Sequence, residues 1–141
     1  MHDDYSLECE VPDTGTYLDL RRAGGLRPFP AAAVEAGLQQ SWHAVILYSG
    51  EKPVGMGRIV GDGGCFFQIV DIVVHPEHQR KGLGKTIMRA LINELEDRAP
   101  KGAYVSLIAD GDASHLYAGY GFEPVAPKSQ GMAMWLDPAD G

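Results

Sequence analysis

The tightest constraint on this chain is a change of hydrophobic period near residue 82. Before it, residues 65–74 form an almost unbroken apolar run, interrupted by a single charge at Asp71. After it, Leu83, Ile87, Leu91 and Leu95 recur at four-residue intervals, with Met88 and Ile92 beside them. That spacing specifies an amphipathic helix, and Ala99, Pro100 and Gly102 supply its stop signals. Residues 104–109 (YVSLIA) then read as a buried strand. A strand, a helix and a second strand in this order call for parallel pairing through a right-handed crossover.

Upstream the connections are short. Residues 42–48 and 54–60 are β-prone and joined by a tight turn at 49–52, and the glycine-rich turn at 61–64 leads into 65–74. Two hairpin connections in succession make an antiparallel meander. Residues 5–11 read as a short first strand, and 16–22 and 31–40 as two helices. Downstream, 115–119 reads as a short helix, and 122–125 and 132–136 as two closing strands. The expected fold is one α/β domain over residues 1–141. Its mixed central sheet would have about six to seven strands, flanked by about four helices.

Charge narrows the partners. The net charge of −7 argues against a nucleic-acid partner. Residues 1–20 carry six acids and no Lys or Arg, whereas 80–89 carry Arg80, Lys81, Lys85 and Arg89 and no acid. A basic spot on an acidic body suggests an anion held at one place, and the acidic remainder favours cations at long range. The acids also fit a merely solvated surface. No apolar run approaches the roughly 18–20 residues needed to cross a bilayer, and the first residues lack the features of a secretory signal. Cys9 and Cys65 make neither a disulfide framework nor a metal site, and neither has a cationic neighbour that would suit an acyl carrier. Cytoplasmic residence is the expectation.

The basic spot coincides with Gln79-Arg80-Lys81-Gly82-Leu83-Gly84-Lys85, between a strand and the long helix. Two glycines allow close backbone approach to a ligand, and the helix start adds unpaired amides and the positive end of its dipole. Such a loop suits a pyrophosphate, although a lysine- and glycine-rich surface turn has the same composition. A phosphate-binding G-x-x-x-x-G-K-[ST] loop would need glycine where Gln79 stands, and a G-x-G-x-x-G loop would need glycine at Ile87. Both nucleotide patterns therefore miss.

Residues 73–85, VVHPEHQRKGLGK, resemble the acetyl-coenzyme A signature of the GNAT N-acetyltransferases, Q/R-x-x-G-x-G/A after a fourth strand. Leu116-Tyr117-Ala118-Gly119-Tyr120-Gly121-Phe122 is similar to that family's L-Y-x-x-x-G-F. The order of elements agrees as well. The resemblance implies the GNAT acyl-CoA N-acyltransferase fold and an enzyme that moves acetyl from acetyl-CoA to a primary amine by direct attack, with no metal. It implies that Ile72, Val73 and Val74 meet the pantetheine arm in the manner of an added strand. Gln79, Arg80, Lys81, Gly82, Leu83, Gly84 and Lys85 would hold the pyrophosphate. Tyr117 would protonate the leaving thiolate, whose unperturbed pKa is about 8.5.

Asp71 is the candidate base, acting directly or through water, because an unpaired carboxylate inside an apolar run is costly. The alternatives are a solvated bulge or a pair with a basic side chain. Gln68 stands where histone-acetylating relatives carry a glutamate base, and Asp110 stands where the family often has asparagine; an ionised carboxylate cannot donate a hydrogen bond. His75 and His78 read as surface turn residues. Tyr17, Arg21, Arg22, Phe29 and Trp42 fall where such folds commonly wall the acceptor site, though core packing or solvation explains each as well. The acidic body leans toward a small cationic acceptor. The alternatives are a peptide or protein amine, or a domain that senses coenzyme A without turnover. A homodimer is common among such relatives.

Overall fold

The computed structural model describes residues 4–109 and 113–136. Cα packing divides the chain into two compact units, Met1–Leu107 and Ile108–Gly141. The first contains β1 (Tyr5–Glu8), α1 (Thr14–Ala23), α2 (Ala31–Leu38), β2 (His43–Ser49), β3 (Lys52–Gly61), β4 (Phe66–Val74), a 3-10 turn (Pro76–His78), α3 (Leu83–Arg98) and β5 (Tyr104–Ser106). The described part of the second contains α4 (Ala113–Ala118).

The sheet runs β1-β2-β3-β4-β5, antiparallel through β4 and parallel between β4 and β5. The mixed sheet expected from the change of period is therefore present, with five strands rather than six or seven among the described residues. Residues 122–125 and 132–136 are not strands. Pro124 has no amide to give a ladder, and Met132, Met134 and Leu136 are 90, 79 and 86% exposed, so burial does not secure a strand there. β5 is also shorter than the expected 104–109.

Local signals place the helices. Asp13 caps α1 by accepting from the Thr16 amide at 2.8 Å. Pro30 leads into α2, where its missing amide would have no helical partner. Leu83, Ile87, Met88, Leu91 and Leu95 of α3 are buried, as the four-residue spacing requires. In β2, Ala44, Val45, Ile46 and Leu47 are all buried in succession, so both faces of the sheet are covered. α3 covers one face, where it lies so close that a Cβ on Gly57 would sit 2.6 Å from Ile87 Cγ2 and 2.9 Å from Leu91 Cδ1. On the other face Tyr17, Leu20, Val34 and Leu38 of α1 and α2 pack with Met56 and Val73.

Burial has a pH consequence at His43, whose side chain is 13% exposed. Desolvation lowers its pKa from the usual 6.5; Arg98 acts the same way and Glu94 opposes. The unfolded chain thus takes up a proton first on acidification. Stability is full above pH 6.5 and declines below it until the folded-state pKa is passed. Denaturant midpoints should therefore fall between about pH 7 and pH 5, and His43→Gln should flatten that slope. An identical slope in the variant would remove His43 as the cause.

Candidate active site

The site is built on the far half of β4. β5 pairs with β4 only at Phe66–Gln68, so among the described residues no strand pairs with residues 69–74 on that side. Opposite, the β3–β4 register shifts between Met56 and Arg58: Met56 faces Val73, but Arg58 faces Val70. The extra residue is taken up at Asp71, whose φ of 63° is left-handed. Aspartate tolerates this region better than most side chains. The bulge turns Asp71 onto the face that carries α1 and α2.

The ladder also fixes which peptide groups face the unpaired side. His75 N donates to Val54 O at 2.7 Å, so by antiparallel alternation Val73 turns its own groups toward Met56. Val74 then faces away from β3, and Gln79 Nε2 indeed reaches its carbonyl at 2.9 Å. Ile72 lies beside the bulge, with its side chain on the α3 face, 3.7 Å from the position of a Gly57 Cβ. The backbone groups of Val73 are thus directed at β3, and those of Val74 at the unpaired side.

β4 leads through the 3-10 turn to the start of α3. Arg80 and Gly82 both have positive φ, 65° and 78°. A left-handed residue followed by the right-handed Leu83 forms a concave nest of amides. No side chain caps α3, and its first i→i−4 bond runs from Thr86 N to Gly82 O, behind the amides of Leu83 and Gly84. Space is open where a Cβ would stand on Gly82 or Gly84. Lys81 leans back to Tyr5, donating to its hydroxyl at 3.2 Å, and Tyr5 OH lies 2.6 Å from His78 Nδ1. His75 accepts from the Glu77 amide. These histidines brace the turn, and His78 ties it to β1 as well. Arg80 on the loop and Lys85 in the first turn of α3 are exposed.

Behind the bulge lies the main polar feature of the first unit. Asp71 Oδ1 accepts from Tyr17 OH at 2.9 Å and Arg21 Nη1 at 2.6 Å; Oδ2 accepts from Tyr17 OH at 2.9 Å and Arg58 Nε at 3.0 Å. Side-chain exposures are 5% for Asp71, 10% for Arg21 and 13% for Arg58. The Arg21 guanidinium lies 4.7 Å from the Phe29 ring, and both guanidiniums lie within 6 Å of the Tyr17 ring. Burial, then the Asp71 carboxylate, pushes the Tyr17 phenol pKa up, which keeps it a donor.

Of the roles open to Asp71 in the sequence, the pair with basic side chains is the one found. Three donors share the two oxygens, with the single Tyr17 hydroxyl proton lying between them. The contacts support a holding role. Arg58 was visible in the sequence only as part of Gly55-Met56-Gly57-Arg58; the one available signal was a lone cation in the buried meander. Arg22 and Trp42 stand outside this cluster. Arg22 pairs with Asp19 on the surface, and Trp42 meets Phe67 edge to face with the Arg98 guanidinium over its ring. Tyr117 lies on α4, half-buried, with its carbonyl accepting from the Tyr120 amide. Asp110 is outside the described residues.

Comparison with known proteins agrees with this architecture. The family profile described as "Acetyltransferase (GNAT) domain" matches residues 26–136. A crystal structure of a protein of unknown function from meticillin-resistant Staphylococcus aureus, described as a "Probable Acetyltransferase", is 37% identical. It superposes with a TM-score of 0.88 over 93% of this chain and 98% of its own. The "Uncharacterized N-acetyltransferase ycf52" of Porphyra purpurea is 36% identical over 52% of this chain and 41% of its own length. "GCN5-related N-acetyltransferase 2, chloroplastic" of Arabidopsis thaliana is 34% identical over 58% of this chain and 31% of its own. The chain thus spans well under half the length of these two curated relatives.

Proposed function

Because the chain belongs to the GNAT acetyltransferase family, we propose that it moves acetyl from acetyl-CoA to a primary amine. The observation that carries this reading is the unpaired edge of β4 running into an uncapped helix start with basic neighbours. The first suits the amide-bearing arm of coenzyme A, the second its pyrophosphate. Val74, with Ile72 beside it, lines the arm. The segment Gln79, Arg80, Lys81, Gly82, Leu83, Gly84 and Lys85 holds the pyrophosphate.

The amine lone pair attacks the thioester carbonyl carbon, the new C–N bond forms, and the C–S bond breaks. Tyr117 gives its phenolic proton to the departing sulfur, the surplus proton of the amine leaves to water, and the phenolate takes a proton back from solvent. Asp71 holds Tyr17, Arg21 and Arg58 and fixes the bulge that shapes the β4 edge. The acidic body of net charge −7 draws amines in at long range.

Two measurements on the intact chain test this. Calorimetric titration with coenzyme A and acetyl-CoA should show saturable one-site binding. Incubation with acetyl-CoA and a panel of amines should release free thiol in proportion to acetylated product. Binding without release from any amine would favour a coenzyme A sensor. No binding of either form would remove the reading altogether.

A further inference from the structure

The buried cluster behind the bulge does not balance its charge. Arg21 and Arg58 bring two positive charges and Asp71 one negative, all in side chains at most 13% exposed. Burying a charge without a partner is costly, and such charges normally find one. Counted by nitrogen, the two guanidiniums differ. Arg21 spends Nε and Nη2 on the Arg27 carbonyl and Nη1 on Asp71. Arg58 spends Nε on Asp71 and Nη1 on the Gly37 carbonyl and Ser41 Oγ. Its Nη2 meets no partner among the described residues. Every fully buried side-chain nitrogen and oxygen there is hydrogen-bonded, so Nη2 must reach solvent.

Arg58 lies one strand in from the unpaired edge of β4, with its guanidinium on the α1 and α2 face. Arg58 faces Val70 across the ladder and holds Asp71 at the bulge, directly before residues 72–74. The α3 face of that edge is apolar, lined by Ile72, Ile87 and Leu91. A polar appendage on an acceptor there finds its partners on the α1 and α2 face. Resting on the acetyltransferase reading, we infer that the acceptor amine carries a carboxylate, and that Arg58 Nη2 receives it. The substrate class is then amino carboxylates, such as free amino acids, and not plain di- or polyamines. The acidic exterior and the cationic interior act at different ranges: one attracts the ammonium end, the other seats the anionic end. A guanidinium already steadied by Asp71 and α2 loses little side-chain freedom on binding.

The test uses glycine, phenylalanine and lysine, each as the free acid and as its amide. Wild-type kcat/KM should favour the acids by about tenfold or more, the usual reach of a hydrogen bond between charged groups. Arg58→Lys keeps a cation for Asp71 but loses the Nη2 pair, so the acid-to-amide ratio should collapse toward one while coenzyme A affinity holds. Equal wild-type rates, or an acid preference that survives Arg58→Lys, would overturn the inference and leave the enzyme reading intact. A second readout needs no turnover and no variant. With coenzyme A bound, the acids should raise the melting temperature of the wild-type chain more than the amides do. Stabilisation of that kind without thiol release would keep the carboxylate site and sink the acetyltransferase reading. No difference between acids and amides would sink the site.

Discussion

Asp71→Ala is expected to lower the unfolding free energy by about 3–5 kcal/mol, the span for leaving buried partners of an ion pair uncompensated. Two guanidiniums and a phenol converge on this carboxylate from α1 and β3. Removing it leaves two like charges in a pocket with no anion. A second cost is conformational: alanine would have to adopt the φ of 63° that aspartate holds. Asp71→Gly separates the terms. It loses the same charge but not the backbone freedom, so it should be about 1 kcal/mol less destabilised than the alanine variant. Asp71→Asn keeps an oxygen acceptor and a tolerance for the left-handed region, and should lose the least. Denaturant midpoints with unchanged slopes would report these differences as stability. A loss below about 1 kcal/mol for alanine would mean that solvent already compensates the two arginines.

The largest functional effect is expected at Tyr117. Tyr117→Phe removes one oxygen and should lower kcat by roughly 10² to 10⁴, the range for a positioned acid. Acetyl-CoA affinity should stay at the wild-type value, because the change falls on the step and not on the grip. The role as donor to sulfur has a chemical signature as well. An acetyl thioester of a more acidic thiol needs less help on departure, so the variant's deficit should shrink with that donor. A kcat within a few-fold of wild type, or a deficit indifferent to the leaving group, would take Tyr117 out of the mechanism. Tyr120 is the neighbouring phenol to examine in that case.

Much of the fold was legible because its signals are local. The spacing of Leu83, Ile87, Leu91 and Leu95 specifies α3 without reference to anything distant, and all four are buried. The glycine-bearing turn at Gly82 marks the helix start through its own φ of 78°. The hairpin turns joining β2, β3 and β4 are equally local, and they place three strands side by side in sequence order. The closing strands failed for a related reason. A strand is defined by its partner, and short apolar runs at 122–125 and 132–136 carry no information about whether a partner stands beside them.

The candidate site divides along the same line. Sequence alone determined the basic, glycine-bearing composition of residues 79–85, the helix behind it and the oddity of a carboxylate at Asp71, because each is a matter of residue type and near-neighbour spacing. Only the tertiary structure decided which side chains Asp71 meets. Its three donors come from positions 13 to 54 residues away, and a one-residue bulge sets the face on which they meet. It likewise decided that Val74 and not Val73 turns to the open edge, since register across a ladder belongs to two strands at once. Interactions that close over long loops leave no periodic trace in the chain, and the unfilled donor of Arg58 appears only when all of its partners are in place.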